Sequence, residues 1–243
     1  MSQSRIKGTY KLRLIQEGFP LSKQPLERLI KAMDYDAILF DFDGVIANSE
    51  PHHVSTKKST LDAFNIPFTE EEVSRFQGSP ESHFFDYFAQ ANKQNSQQLL
   101  EFKRDLFNQG IDEIEEIEGV ITFIRKVNHY KSCYLVTSSI RAQMSRFIDR
   151  HQLRQDFKDF ITCDDVDQHK PHPEPYLACI SRNNLVAARC LVIEDSPNGV
   201  ISGKAAGCLV IGLIGEFSKE ALLDKGAEMV VENYQELTCL LAI

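Results

Sequence analysis

Residues 35–50 read YDAILFDFDGVIANSE, and this stretch decides the predicted fold. Its apolar residues, 37–40, lack helical spacing and are followed closely by acids and a glycine, so they predict a buried strand. Asp41 and Asp43 follow this strand, and the alternation of side chains along a strand places both carboxylates on one side. Gly44 lets the backbone turn away at once. Taken alone, the pattern also fits a strand that ends in an ordinary Asp-Gly turn.

Length and composition limit the classes of protein to consider. The 243 residues are 42% hydrophobic and 26% charged, which suits one substantial core or a core with a small second domain. The net charge of −8 argues against a nucleic-acid surface, because phosphate backbones require clustered Lys and Arg. No apolar run approaches the roughly 18 residues of a membrane span, and the N-terminus lacks a signal pattern. Six cysteines without a CxxC pair indicate free thiols. We therefore expect a cytoplasmic protein without nucleic-acid or membrane partners.

The remaining sequence predicts an α/β fold, a Rossmann-like parallel sheet core with an inserted small α-helical domain. From residue 120 onward strand and helix patterns alternate, which requires a parallel sheet with helices on both faces. Residues 51–118 instead show helical stripes, and Thr69 with Glu72 forms a capping-box pattern. Residues 1–34 form an N-terminal extension with a helix predicted over 24–33. Besides the first and central strand, the predicted strands are 133–136, 160–162, 190–193, 209–212 and 229–231, and the predicted helices are 120–128, 141–151, 173–182 and 198–206.

Three later segments of the sequence have to be considered together with residues 35–50. LVTSS ends at Ser139, HKPHP covers residues 169–173, and VIEDS covers residues 192–196. With DFDG before them, these segments make the sequence resemble the haloacid dehalogenase superfamily of phosphohydrolases, in the branch of β-phosphoglucomutase-like enzymes and small-molecule phosphatases. The resemblance runs from residue 35 to the C-terminus and includes all four superfamily motifs in order. It implies a Rossmann-like catalytic core of residues 35–50 and 119–243, with residues 51–118 as a helical cap that closes over the active site.

The resemblance also implies roles for single residues. Asp41 would be the nucleophile that forms an aspartyl-phosphate, and Asp43 would be the general acid and then the general base. Lys170 would supply positive charge to the phosphate and to Asp41. Thr137 and Ser138 would bind the phosphate through a hydroxyl group and backbone amides at the start of the next helix.

A magnesium ion is the cofactor that the resemblance implies. Its ligands would be the side chains of Asp41 and Asp195 and the backbone carbonyl of Asp43, with Glu194 acting through a bound water or as an alternative ligand. Outside the motif order, Glu194 and Asp195 would instead be interpreted as an acidic helix start, which the positive end of the helix dipole favours. Ser49 and His53 are candidate hinge or cap residues, and His53 has the spacing at which family members contact the general acid.

We therefore expect a Mg²⁺-dependent phosphatase, a phosphoric monoester hydrolase acting on a small phosphorylated metabolite. Sugar phosphates are the leading class, followed by other phosphomonoesters, nucleotides or pyrophosphate. One alternative is a phosphohexomutase of the β-phosphoglucomutase type. Such mutases carry a Gly-x-Ser-Arg segment whose arginine holds a second phosphate, whereas this chain has Gly78-Ser79-Pro80-Glu81, and the glutamate would repel that phosphate. The other alternative is a non-catalytic binding or regulatory protein on the same fold, against which the intact acids and Lys170 argue. The sequence indicates no oligomeric state.

Overall fold

The structure is a computed structural model that describes residues 35–76 and 81–243. Within these residues a six-stranded sheet has the order β3-β2-β1-β4-β5-β6, and every pairing is parallel. The predicted helix over 24–33, the extension of residues 1–34 and the Gly78-Ser79-Pro80 segment lie outside the described residues. The strands are β1 (Ala37–Phe40), β2 (Ser132–Val136), β3 (Asp159–Ile161), β4 (Cys190–Glu194), β5 (Leu209–Leu213) and β6 (Met229–Val231).

Strand β1 lies between β2 and β4, which confirms its predicted central position. All four of its residues are buried, as expected for a parallel strand covered on both faces. Ile38 and Phe40 belong to one hydrophobic cluster, whereas Ala37 and Leu39 belong to another. The predicted α/β class with a Rossmann-like parallel sheet is therefore confirmed.

Helices cover both faces of this sheet. The described helices are α1 (Glu50–Ala63), α2 (Glu70–Arg75), α3 (Glu81–Asn92), α4 (Ser96–Gly110), α5 (Val120–Val127), α6 (Arg141–Arg150), α7 (Glu174–Arg182), α8 (Pro197–Ala205), α9 (Lys219–Asp224) and α10 (Tyr234–Leu241). Buried side chains of α5, α6 and α10 join the cluster on one face, and those of α7, α8 and α9 join the cluster on the other. None of the described helices is long and apolar enough to cross a bilayer. All six cysteines are free thiols, as predicted.

Helices α1 to α4 pack around a third hydrophobic cluster, which includes Leu61, Phe84 and Leu99. Helix α2 begins with the predicted capping box: the backbone amide of Glu72 donates to the hydroxyl of Thr69 at 3.2 Å, and its carboxylate accepts from the amide of Thr69 at 2.9 Å. These helices therefore have a core of their own. That residues 51–118 form a cap that closes over the site stays a prediction.

Two connections join this helical unit to the sheet, and they lie side by side. The amide of Asn48 donates to the carbonyl of Glu115 at 2.8 Å, and the amide of Ile117 donates to the carbonyl of Ile46 at 2.8 Å. Arg146 of α6 donates to the carbonyl of Asn108 at 2.8 Å, which anchors the end of α4 near the returning connection. The chain thus leaves the sheet and returns to it at one place.

Candidate active site

The carboxyl ends of β1, β2 and β4 bring the motif residues to one edge of the sheet. Asp41 directly follows β1, and its amide donates to the carbonyl of Ile193 at 3.0 Å. Thr137 follows β2, and its amide donates to the carbonyl of Ile161 at 2.9 Å. Asp195 follows β4. This edge is where ligands bind in open parallel sheets.

Lys170 lies in the loop before α7 and reaches the centre of this edge. Its Nζ donates to Oδ1 of Asp41 at 2.6 Å, to Oε1 of Glu194 at 2.7 Å and to the carbonyl of Val136 at 3.0 Å. The side chain of Lys170 is only 6% exposed, and that of Glu194 is fully buried. Burial lowers the pKa of Lys170, but the two carboxylates outweigh it and raise the pKa above its usual value. The lysine therefore stays charged beside Asp41.

Glu194 is held by groups from three directions. Besides Lys170, the hydroxyl of Tyr176 donates to its Oε1 at 2.9 Å, and the hydroxyl of Ser196 donates to its Oε2 at 3.1 Å. Gly199 in α8 packs so closely that a Cβ atom there would lie 1.8 Å from the carboxyl carbon. Both oxygens of Glu194 are therefore bonded, and one of them accepts from the ammonium group of Lys170. Sequence reasoning missed Tyr176 and Gly199, because nothing in the motifs marks them.

The carboxylates of Asp41, Glu194 and Asp195 form a group that fits a divalent cation. One oxygen from each lies within 4.8 Å of the others. Burial raises the pKa of Asp41 to about 7 and the charge of Glu194 adds to this shift, while Lys170 opposes it. Burial and the neighbouring acids also raise the pKa of Asp195 well above its usual value. Carboxylate oxygens are the ligands that Mg²⁺ prefers, and a bound cation would relieve their repulsion.

Gly44 explains how the loop after β1 approaches the acids. Its φ is +73°, and a Cβ atom there would lie 1.9 Å from Oδ2 of Asp195. Both the backbone conformation and the close approach therefore require glycine. The prediction that Gly44 lets the chain turn directly after the acids is confirmed.

Asp43 is fixed by two serines rather than by the lysine. Its Oδ1 accepts from the hydroxyl of Ser49 at 2.7 Å, and its Oδ2 accepts from the hydroxyl of Ser139 at 2.5 Å. Ser49, a candidate hinge residue, thus touches the predicted general acid. Ser139 was not among the predicted site residues, although it closes the LVTSS segment. Thr137 is buried and its hydroxyl accepts from the amide of Ser139 at 2.9 Å, while Ser138 is exposed at the same edge.

His53 lies in a polar group between α1, α3 and α4. Its Nδ1 is 2.7 Å from Nζ of Lys103 and 3.3 Å from Oε1 of Glu81, and its ring stacks on Phe107 at 4.3 Å between centroids. Lys103 also donates directly to Glu81, and its side chain is only 2% exposed. Burial raises the pKa of Glu81, but the contacts with His53 and Lys103 outweigh it and lower the pKa to about 2. The contact of His53 with Asp43 stays a prediction.

A cavity of about 310 Å³ opens between the helical unit and the acidic edge of the sheet. Glu50 borders it directly after Ser49, and Ser196 borders it directly after Asp195. The cavity is therefore next to both predicted catalytic and metal-binding residues. Its lining consists of Glu50, His53, Lys57, Glu81, Ser196, Pro197, Asn198, Glu216 and Phe217.

The chain belongs to the haloacid dehalogenase-like hydrolase family, whose sequence profile matches residues 38–213. It is 28% identical over 223 residues to glycerol-1-phosphate phosphohydrolase 2 of Saccharomyces cerevisiae, with 85% of each chain covered. It is also 28% identical over 213 residues to phosphorylated carbohydrates phosphatase of Thermotoga maritima, covering 84% of this chain and 98% of that one. A crystal structure of a candidate beta-phosphoglucomutase from Thermotoga maritima matches with a TM-score of 0.74 and 26% identity, covering 86% and 99% of the two chains.

These comparisons confirm the predicted superfamily and the predicted class of enzyme, a phosphoric monoester hydrolase. They also confirm the Rossmann-like fold. The roles assigned to Asp41, Asp43, Thr137, Ser138 and Lys170 stay predictions.

Proposed function

We propose that this protein is a Mg²⁺-dependent phosphatase that hydrolyses a small phosphorylated metabolite, a sugar phosphate or a similar phosphomonoester, through an aspartyl-phosphate on Asp41. The observation that carries the proposal is the buried contact of Lys170 with both Asp41 and Glu194, directly beside Asp195. The named activities of the yeast and Thermotoga relatives support the substrate class.

In the first step a carboxylate oxygen of Asp41 attacks phosphorus. The bond between phosphorus and the leaving oxygen breaks as the bond to Asp41 forms. Lys170 opposes the rise that burial causes in the pKa of Asp41 and orients its carboxylate through the 2.6 Å contact. Asp41, Asp195 and the backbone of Asp43, with Glu194 at the edge of the group, would hold Mg²⁺, which supplies positive charge to the phosphoryl oxygens when bound.

Asp43 transfers the protons in both steps. It first gives a proton to the leaving oxygen, which becomes the hydroxyl group of the product. As a carboxylate it then takes a proton from the water that attacks the aspartyl-phosphate, so that inorganic phosphate leaves and Asp41 is regenerated. Ser49 and Ser139 hold its two oxygens in position for both transfers.

The phosphoryl group needs hydrogen-bond donors as well as positive charge. Ser138 is exposed at the carboxyl end of β2, before the start of α6, and its hydroxyl and amide are the proposed donors. Thr137 holds the turn through its bond to Ser139. Lys170 is the proposed source of positive charge.

The direct test is phosphate release from p-nitrophenyl phosphate and from a panel of phosphorylated metabolites, with Mg²⁺ and with a chelator. We expect release that requires Mg²⁺, which would also contradict the non-catalytic alternative. With β-glucose 1-phosphate and a bisphosphate activator, we expect inorganic phosphate and little glucose 6-phosphate. Isomerised sugar phosphate that forms faster than free phosphate would favour the mutase. If no compound of the panel released phosphate in the presence of Mg²⁺, the proposal would be contradicted.

A further inference from the structure

The cavity borders the helix that begins beside Ser49, the serine that binds Asp43, and in the proposed reaction the leaving group extends into it. Ser49 binds Asp43 at the start of α1, and Glu50, His53 and Lys57 follow at helical spacing, so they line the cavity from one face of that helix. In the proposed reaction, a group that receives its proton from Asp43 would extend along this face. At about 310 Å³, the cavity is at the small end of the range for small-molecule sites.

Carboxylates dominate the charge of this cavity. Among the described residues, the lining contains the three acids Glu50, Glu81 and Glu216 and one ammonium group, that of Lys57. Burial and the charge of Glu216 raise the pKa of Glu50 to about 7, and the nearby charge of Lys57 opposes this shift, so Lys57 already interacts with an acid of the cavity. Burial lowers the pKa of His53, which favours the neutral ring.

The ammonium group of Lys103 could offset the negative charge of the cavity, but it is paired with Glu81. Lys103 lies in α4 behind two residues that line the cavity: it donates to Glu81 and lies 2.7 Å from Nδ1 of His53. These contacts bury the side chain of Lys103 almost wholly, together with the ring of Phe107, whose centroid lies 4.7 Å from Nζ. A second anionic group on a substrate would meet Glu81 rather than a free ammonium group.

We propose that Glu81 is a specificity-determining residue, which holds Lys103 and thereby excludes leaving groups that carry a carboxylate or a second phosphate. Uncharged leaving groups with several hydroxyl groups are admitted, because hydroxyls donate to carboxylates whereas a further anion is repelled. This inference rests on the proposed function and narrows its substrate class.

A pair of substrates isolates the charge of the leaving group. Racemic glycerol 1-phosphate and racemic 3-phosphoglycerate differ by a hydroxymethyl group in place of a carboxylate. For the unmodified enzyme we expect kcat/KM to be at least about tenfold higher for glycerol 1-phosphate. In Glu81→Gln we expect the ratio of the two values to fall by about tenfold, since the substrate carboxylate can then pair with Lys103.

Two further variants separate charge pairing from a general disturbance. In the double variant Glu81→Gln with Lys103→Met, kcat/KM for 3-phosphoglycerate should no longer increase relative to that for glycerol 1-phosphate. No ammonium group is then left to pair with the substrate carboxylate. Glu101→Gln removes the same charge from an exposed position of α4 and should leave the ratio unchanged. A ratio that does not move in Glu81→Gln, or a gain that survives loss of Lys103, would overturn the inference.

Two measurements distinguish failure of this inference from failure of the proposed function. Hydrolysis of p-nitrophenyl phosphate tests the function alone. Calorimetric binding of both glycerol compounds to Asp41→Asn protein with Mg²⁺ tests the charge selection without turnover. We expect about tenfold tighter binding of glycerol 1-phosphate, and a smaller difference once Glu81→Gln is added. Equal affinities in the presence of Glu81 would contradict the selection, whatever the outcome of the activity assay.

Discussion

Nζ of Lys170 lies 2.6 Å from Oδ1 of Asp41, although 129 positions separate the two residues in the sequence. The parallel sheet produces this contact, since β1 ends beside β4 and the loop before α7 crosses the same edge. Both side chains are almost entirely buried. A buried ion pair of this kind is costly to break, because the remaining charge loses its partner and has no water to replace it.

Replacing Lys170 with Met should therefore remove both activity and stability. We expect at least about a 10²-fold loss of kcat with p-nitrophenyl phosphate, since Asp41 loses its positive neighbour. The free energy of unfolding should fall by about 3–5 kcal/mol in urea denaturation. Lys58→Met is the matched control, because Lys58 pairs with the exposed Glu70. Its effect on stability should stay below about 1 kcal/mol, and equal losses in both variants would contradict the prediction.

The two acids after β1 should respond differently to loss of charge. Asp41→Asn should abolish turnover because an amide cannot form the aspartyl-phosphate. Asp43→Asn should slow turnover by roughly 10²–10⁴, since it removes only the proton transfers. Steady-state phosphate release from glycerol 1-phosphate, whose alkoxide leaving group requires a proton, compares both variants with the unmodified enzyme. Near-normal turnover in Asp41→Asn would remove it as the nucleophile.

Gly199→Ala tests the positioning of Glu194. The added Cβ would lie 1.8 Å from the carboxyl carbon of Glu194, so that carboxylate must move away from Lys170. We expect kcat to fall by about tenfold or more, which corresponds to about 1.4 kcal/mol of barrier. Gly215→Ala is the control, since its Cβ would reach only ordinary contact, 3.5 Å from Asp195. Similar kcat values in the two variants would argue against a positioning role for Glu194.

Magnesium binding should be visible without any assay of activity. A ligand that binds only the folded protein stabilises it by about 2.7 kcal/mol at one hundred times its dissociation constant. We expect Mg²⁺ to raise the melting temperature of the unmodified protein and to have little effect on Asp195→Asn. Asp86→Asn removes an exposed acid of α3 and should keep the full response. A full response in Asp195→Asn would place the ion elsewhere.

Glu50 should make stability depend on pH. Burial raises its pKa to about 7, and the charge of Glu216 adds to the shift. A carboxyl group whose pKa is higher in the folded state destabilises the fold when ionised, so its penalty is absent below about pH 4.5 and complete above about pH 7. After allowance for partial exposure, Glu50→Gln should stabilise the protein by about 1–2 kcal/mol at pH 8. At pH 5 the gain should nearly vanish in urea denaturation; a gain independent of pH would contradict the assignment.

Local patterns predicted the sheet well and the charge network poorly. Buried parallel strands such as β1 and β4 are continuous apolar runs, which can be recognised without a partner. Helices α9 and α10 were not predicted, because with six and eight residues they are too short for helical periodicity to stand out. Glu81 and Lys103 are 22 positions apart on different helices, and no periodicity relates them. Ser139 was passed over because only the packing shows which hydroxyl of the LVTSS segment reaches Asp43.

The paired connections at Asn48 and Glu115 have a consequence for how the chain assembles. β1 pairs with β2, although a long stretch between residues 40 and 132 separates the two strands in the sequence. The entropy cost of closing such a loop grows with its length. Once α1 to α4 have folded, however, their two ends are one hydrogen bond apart, and the stretch behaves like a short turn. Another insert with adjacent ends could therefore take its place without altering the register of β1, provided that it replaced the apolar contacts that Phe107 and Ile111 make with the cluster on one face of the sheet.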